Sequence, residues 1–265
     1  MSALPKSIAS SRRALLLGAA ALLAGTHLPT PAKALTKSMR VGFFELPPHA
    51  SMVDGQPVGP AVEYLRLVAQ EMQVQAQFNM MPLSRLLGSD EVDLILMLGR
   101  NPEREKRLSF VSQPLLTMQG GVVVRTESRL KAVARADDLL GLVIGAYSDG
   151  YRGAIMRDPR LTLFQMSSPT LTQRALQMLT LNRLDAFYSP DAMSLAYQLD
   201  ELSLSTKLRL VRFPSDDDAL YPAFTQAGSL QLQQRFEAAF GRVGKRMPYR
   251  EFLQQHLEHT PRHGR

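Results

Sequence analysis

Cysteine is absent from the 265 residues. No disulfide framework is available, so the fold must rest on its apolar core, and a chain of this length buries one large core or two modest ones. Long apolar runs are scarce as well. The most apolar stretch, residues 14–24, has about half of the ~20 residues a membrane-spanning helix needs, and no later stretch comes close. A phosphate loop, a dinucleotide fingerprint and a Gly-x-Ser-x-Gly elbow are all missing. No repeat of fixed period and no low-complexity tract occurs.

What is present begins with a leader. Lys6, Arg12 and Arg13 stand without an acidic residue, the apolar run follows, and Pro29, Pro31 and the small-x-small site Ala32-Lys33-Ala34 complete the order of a signal peptide over residues 1–34. Ser11-Arg12-Arg13-Ala14-Leu15-Leu16 resembles the twin-arginine export signal, with Leu15 in place of its usual phenylalanine and without its trailing lysine. Cleavage near Ala34 removes four basic groups (Lys6, Arg12, Arg13, Lys33) and no acid, so the formal charge falls from +7 to about +3. So small a surplus, with no basic stretch interleaved with aromatics, argues against nucleic acid as a partner. The expected product is a periplasmic monomer.

Beyond the leader, residues 39–44 read as a strand that Pro47-Pro48 ends, because two prolines cannot continue a ladder. Gly59-Pro60 opens a helix with Ala61, Leu65, Val68 and Met72 on one face. A strand at 74–78, a helical turn at 83–87 and a nearly continuous apolar strand at 92–98 follow, the last in the pattern of a parallel sheet covered on both faces. A second series then predicts strands at 120–125, 142–146, 161–165, 186–188, 208–213 and 220–225. Helices are predicted at 150–156, at 168–181 behind Ser168-Pro169, and at 191–199, 230–243 and 249–257. Two successive groups of alternating elements predict an α/β chain of two lobes.

The stretch richest in chemistry runs from Val92 to Pro114. A buried strand ends at Gly99, Asn101 suits a helix cap, Pro102 suits the first helical position and Glu103 suits its positive end. A helix start beyond the carboxyl end of a parallel strand presents backbone N–H groups to the crevice. Arg104 in that first turn adds a planar fork that matches a carboxylate. On the residues alone, Arg104 is either such an anchor or the partner of a neighbouring acid, Glu103 or Asp93.

Val92-Asp93, Asn101-Pro102-Glu103-Arg104 and Phe110-Val111-Ser112-Gln113-Pro114 together resemble the signature of the family 3 solute-binding proteins, the periplasmic partners of polar amino-acid ABC importers. Further stretches resemble the same family in order: Pro47-Pro48, Gly55 with Gly59, Asp138-Leu139-Leu140-Gly141, Ser148-Asp149-Gly150, Asn182-Arg183-Leu184-Asp185-Ala186 and Tyr221-Pro222-Ala223-Phe224-Thr225. The resemblance implies the type II periplasmic binding protein fold, two lobes joined by two crossing segments that close on a small polar ligand. The lobes would be 39–123 plus 214–258 and 124–213, with a flexible tail at 259–265. It also implies that Arg104 holds a ligand carboxylate beside Gly99 and Asn101, and that an ABC permease is the partner. A membrane receptor served by a sensory subunit, or a dehydratase-like enzyme using Glu45 or Asp149 as its acid, are the alternatives on this fold.

This chain departs from the family where threonine or serine would assist the arginine, since Gly99 and Asn101 stand there. Asp191, the candidate for a ligand ammonium, arrives one residue late and better suits a helix N-terminus, where an acid after proline is ordinary. Glu45 and His49 after the first strand, Tyr147 and Gly150 after the 142–146 strand, Tyr188, and Arg85 on the 83–87 turn complete the ligand candidates. His49 reads equally as a loop histidine, Tyr147 as a boundary tyrosine and Arg85 as a surface cation. His256, His259 and His263 are broken by Pro261 and read as a solvated terminus, and Asp216-Asp217-Asp218 as a solvated loop, so neither metal nor cofactor is expected.

Overall fold

The computed structural model describes residues 38–168, 170–214 and 218–259. The leader, its cleavage site, Pro169, Asp216, Asp217 and the tail from residue 260 lie outside the described residues. The chain builds two large sheets. The first runs in the order Gln75–Met80, Ser38–Phe43, Leu94–Gly99, Ala219–Phe224, Ser109–Phe110, with Leu116–Thr117 also paired to Ala219–Phe224. The second runs Thr162–Met166, Val143–Tyr147, Ala186–Ser189, Gly121–Arg125, Leu208–Arg212. In each, the first three strands are parallel and the fourth in that order is antiparallel to them, the late strand Ala219–Phe224 in the first sheet and the early strand Gly121–Arg125 in the second.

All six residues of Leu94–Gly99 are buried, as a parallel strand covered on both faces requires. Helices Pro60–Glu71, Leu230–Arg246 and Tyr249–His259 belong to one side, where Leu94 and Leu96 join the core of Val68, Phe236 and Leu253. Ile95 and Leu98 belong to a separate cluster with Leu86 and Leu108. Strict alternation would put Leu98 with Leu96. It fails because Tyr221 pairs with Leu98 and Ala223 with Ile95, so Leu96 and Met97 oppose Pro222 alone. Pro222 has no N–H to offer the ladder, and a bulge is where a sheet tolerates that. The bulge re-aims the last residues of the strand before they reach the cleft.

The chain crosses between the sheets twice, outward at 118–120 and back after Phe213. The two crossings hold each other: Phe213 N donates to Gly120 O (2.9 Å), Gln119 Nε2 to Phe213 O (2.7 Å) and Met118 N to Asp218 O (2.8 Å). The predicted helix at 150–156 is not formed. Only a single 3-10 turn, Ile155–Arg157, stands there, and the preceding residues make a loop in which Gly150 N bonds Tyr147 O and Asp149 takes φ 57°. Seven residues holding two glycines give a helix too little to offset its nucleation cost. Sequence periodicity gave no hint of the Ser51–Val53/Gln56–Val58 hairpin, which turns at Asp54-Gly55 with both residues at positive φ.

Phe236 is fully buried between Phe224, edge-on at 5.4 Å, and Phe240, stacked at 5.7 Å. Phe236→Ala is expected to cost about 3–5 kcal/mol in urea unfolding. Phe164→Ala, at a site 48% exposed, should stay within about 0.5 kcal/mol, and equal losses would contradict this placing of the core.

Candidate functional site

Three neighbouring spaces, sharing wall residues, open between the two sheets. The inner cavity is narrow, about 30 Å³, and its walls are mostly apolar, including Phe44, Leu83, Leu98, Tyr147, Tyr151 and Leu220. A side cavity of about 70 Å³ adds Glu45, Ser148, Met166 and Ser168. A vestibule of about 460 Å³, partly open to solvent, carries Asn101, Asp149, Gln165 and four arginines. The vestibule is the space whose volume suits a small solute, while the two cavities behind it have room for waters or a short apolar group.

Arg104 lines both the inner cavity and the vestibule, at 8% exposure. Its position is built locally. The strand ends at Gly99, Asn101 Oδ1 caps the Pro102–Glu105 turn by accepting Arg104 N at 2.9 Å, and the side chain turns back across the strand end. There Nη1 donates to Gly99 O and Nη2 donates to Asp149 O, both at 2.6 Å, so one guanidinium ties the first sheet to a loop of the second. Burial pulls Arg104 down to about 10, against the raising influence of Tyr151 and Asp149. The group remains a cation at neutral pH. Both acids that offered an alternative pairing are engaged elsewhere: Glu103 with Lys106, and Asp93 with the Arg40 guanidinium and backbone N–H.

The expectation of a helix N-terminus presenting free N–H groups needs correction. Pro102–Glu105 is one turn long, and the Arg104 N–H is consumed by Asn101, so Asn101 serves as a cap and the cationic side chain is the polar feature left facing the cavity. Gly99 has its own reason to lack a side chain. A Cβ there would fall 2.4 Å from the Tyr151 ring, which closes over the strand end and donates its hydroxyl to Asp218 Oδ1.

The other candidates divide. Tyr147 lines the inner and side cavities, and its hydroxyl shares a hydrogen bond of 2.7 Å with Thr172 Oγ1. Burial pushes its phenol up to about 12. Gly150 lines the inner cavity and the vestibule, and a Cβ on it would meet Tyr147 Cβ at 2.7 Å. Tyr188 lines the inner cavity, stacks on Phe213 and accepts Gly153 N. His49 is not in a wall at all. It is wholly buried behind the site, with Nε2 3.0 Å from Asp191 Oδ2 and Nδ1 2.9 Å from the Tyr249 hydroxyl. The sequence had no way to join these residues, which lie 142 and 200 positions apart.

Asp191 borders the inner cavity at 3% exposure, but its oxygens are already occupied. They cap the Ala192–Glu201 helix by accepting Met193 N and Ser194 N, and they face His49. A carboxylate has about four acceptor positions, and three are filled. Arg85 lies outside the three spaces, its side chain 60% exposed and paired with Glu91 at 2.8 Å. The turn carrying it does face the crevice, through Leu83 rather than Arg85. Residues missed from the sequence include Phe44, Tyr151 and Arg152. For the last two, the available signal was an aromatic and a cation directly after the Ser148-Asp149-Gly150 loop.

Glu45 borders the side cavity, and desolvation holds its carboxyl above the ordinary carboxylate range. Among the described residues of that wall only Tyr147 also titrates, so no base stands opposite it for acid–base work. A raised folded-state value means that the neutral acid is favoured on folding. Its contribution to stability is therefore full below the unfolded value and lost as pH rises through the folded one. Glu45→Gln should thus gain thermal stability on the wild type between about pH 3.5 and about pH 8, and a difference independent of pH would contradict the burial.

Residues 39–259 match the family of bacterial extracellular solute-binding proteins, family 3. No curated protein sequence matches. Solved structures with the same fold include an ancestral arginine-binding protein bound to glutamine, at 19% identity over 83% of this chain and 98% of that one, with a TM-score of 0.71. An amino acid ABC transporter substrate-binding protein of Streptococcus pneumoniae bound to L-arginine is similar at 18% identity, 83% and 94% coverage and a TM-score of 0.69. A histidine kinase sensor domain with similarity to periplasmic binding proteins stands at 22%, 83% and 96%, with 0.68. With its two sheets, two crossing segments and cavities between, the chain belongs to the family 3 extracellular solute-binding proteins.

Proposed function

We propose that this is an exported binding protein that captures a small carboxylate-bearing solute between its lobes and hands it to an ABC importer. The observation that carries the reading is Arg104: a buried cation at the junction of an apolar cavity and an open vestibule, held by carbonyl dipoles rather than by a carboxylate. A full anion entering the cleft is a stronger partner for it than either carbonyl. The lobes of the proposal are 39–123 plus 214–258 and 124–213, hinged at the crossing segments. Amino-acid binding in the similar structures supports a carboxylate as the group recognised.

The sensor domain of similar fold favours a second reading, a soluble subunit reporting to a membrane receptor. Gene neighbours distinguish the two: an adjacent permease and ATPase mark import, and an adjacent receptor kinase marks sensing.

A thermal-shift screen over carboxylate solutes tests the common core of both. Ligand at ~100 times its dissociation constant should add roughly 2.7 kcal/mol to the wild type. Arg104→Gln should fold, at a cost of about 1–3 kcal/mol for its two buried carbonyl contacts, and gain nothing from ligand. Undiminished ligand stabilisation in the variant would show that the anchor lies elsewhere.

A further inference from the structure

Arg152 stands beside Arg104. It lines the same inner cavity and the same vestibule, at the end of the 148–151 loop. Among the described residues its Nε is the one buried side-chain nitrogen or oxygen without a hydrogen-bond partner, and no ion pair to Arg152 is found. A buried guanidinium nitrogen with no acceptor is costly, and native chains leave such groups where something else satisfies them. The surroundings are biased the same way. The vestibule wall holds Arg104, Arg107, Arg152 and Arg157 against Glu103 and Asp149, a surplus of two positive charges, and Glu103 is already paired with Lys106.

Acids that could meet an ammonium are outnumbered. Asp191, the acid bordering the inner cavity, spends three of about four acceptor positions on its helix and on His49. Glu45 borders the side cavity instead. A zwitterionic amino acid would bring its positive end to a vestibule where four arginines face Glu103 and Asp149.

Resting on the binding reading above, we infer that the ligand carries two negative charges and no ammonium, one charge met by Arg104 and the other by Arg152, with its carbon frame in the vestibule that both line. Dicarboxylates and phosphate monoesters share this chemistry. Arg152 then sets specificity, and Arg104 anchors any carboxylate.

Isothermal titration of the wild type, Arg152→Gln and Arg152→Lys tests this with succinate, phthalate and phenyl phosphate as dianions. Succinamate and benzoate serve as matched monoanions, and glutamine and arginine as amino acids. The wild type should bind a dianion roughly 30-fold or more tighter than its matched monoanion. Arg152→Gln should remove most of that preference by weakening dianions far more than monoanions, while Arg152→Lys restores part of it. Succinate and phthalate, or phenyl phosphate, according to which binds, identify the source of the dianion. Equal binding of monoanions, tighter binding of glutamine or arginine, or an Arg152→Gln variant weakened equally toward every compound overturns the inference and leaves the binding reading standing. Silence from all seven compounds overturns both.

Discussion

One buried guanidinium organises the cleft. Arg104 is drawn out of water by the end of a fully buried strand on one side and by the 148–151 loop on the other. Burying such a cation costs several kcal/mol, and two carbonyl dipoles offset only part of that. The chain keeps the charge, at about 10, and leaves it short of a full counter-charge. That incomplete compensation is what gives an anion leverage: its binding energy falls on a group that both halves of the protein touch.

Further contacts join the halves. Tyr151 packs on Gly99 and donates its hydroxyl to Asp218 Oδ1. His49 meets Asp191, Ser194 Oγ donates to Pro47 O, and the Phe44 and Tyr147 rings meet edge-on at 6.2 Å. Each neutral hydrogen bond contributes about 0.5–1.5 kcal/mol net and one to a carboxylate about 1.5–3, magnitudes that a ligand with differential affinity for the shut form can offset. In the proposed closure the crossing segments, bonded to each other through Gly120, Phe213 and Gln119, are the pivot.

Local chemistry was legible in the sequence. Asn101 as a cap, Pro102 at the first helical position, the buried 94–99 strand and Asp191 at a helix N-terminus all follow from short-range rules, and the structure has them. What short-range rules miss is pairing over distance. Pro222 reads as a strand interruption until its partner strand is seen to bulge opposite it. His49 reads as a loop residue until Asp191 and Tyr249 are brought to it. Arg85 and Arg152 look alike as isolated cations. Only the packing shows that the first meets solvent and Glu91, while the second has its Nε enclosed without a partner.

The account stands on closure driven by an anion at Arg104. Because the chain has no cysteine, Asp90→Cys and Thr162→Cys, at exposed sites beside the first and on the second sheet, can carry spin labels without background. Pulsed EPR distances between them should narrow to a single short population when a carboxylate ligand binds, and should stay broad in Arg104→Gln. The same distribution with and without ligand, or the same narrowing in the variant, would contradict the account.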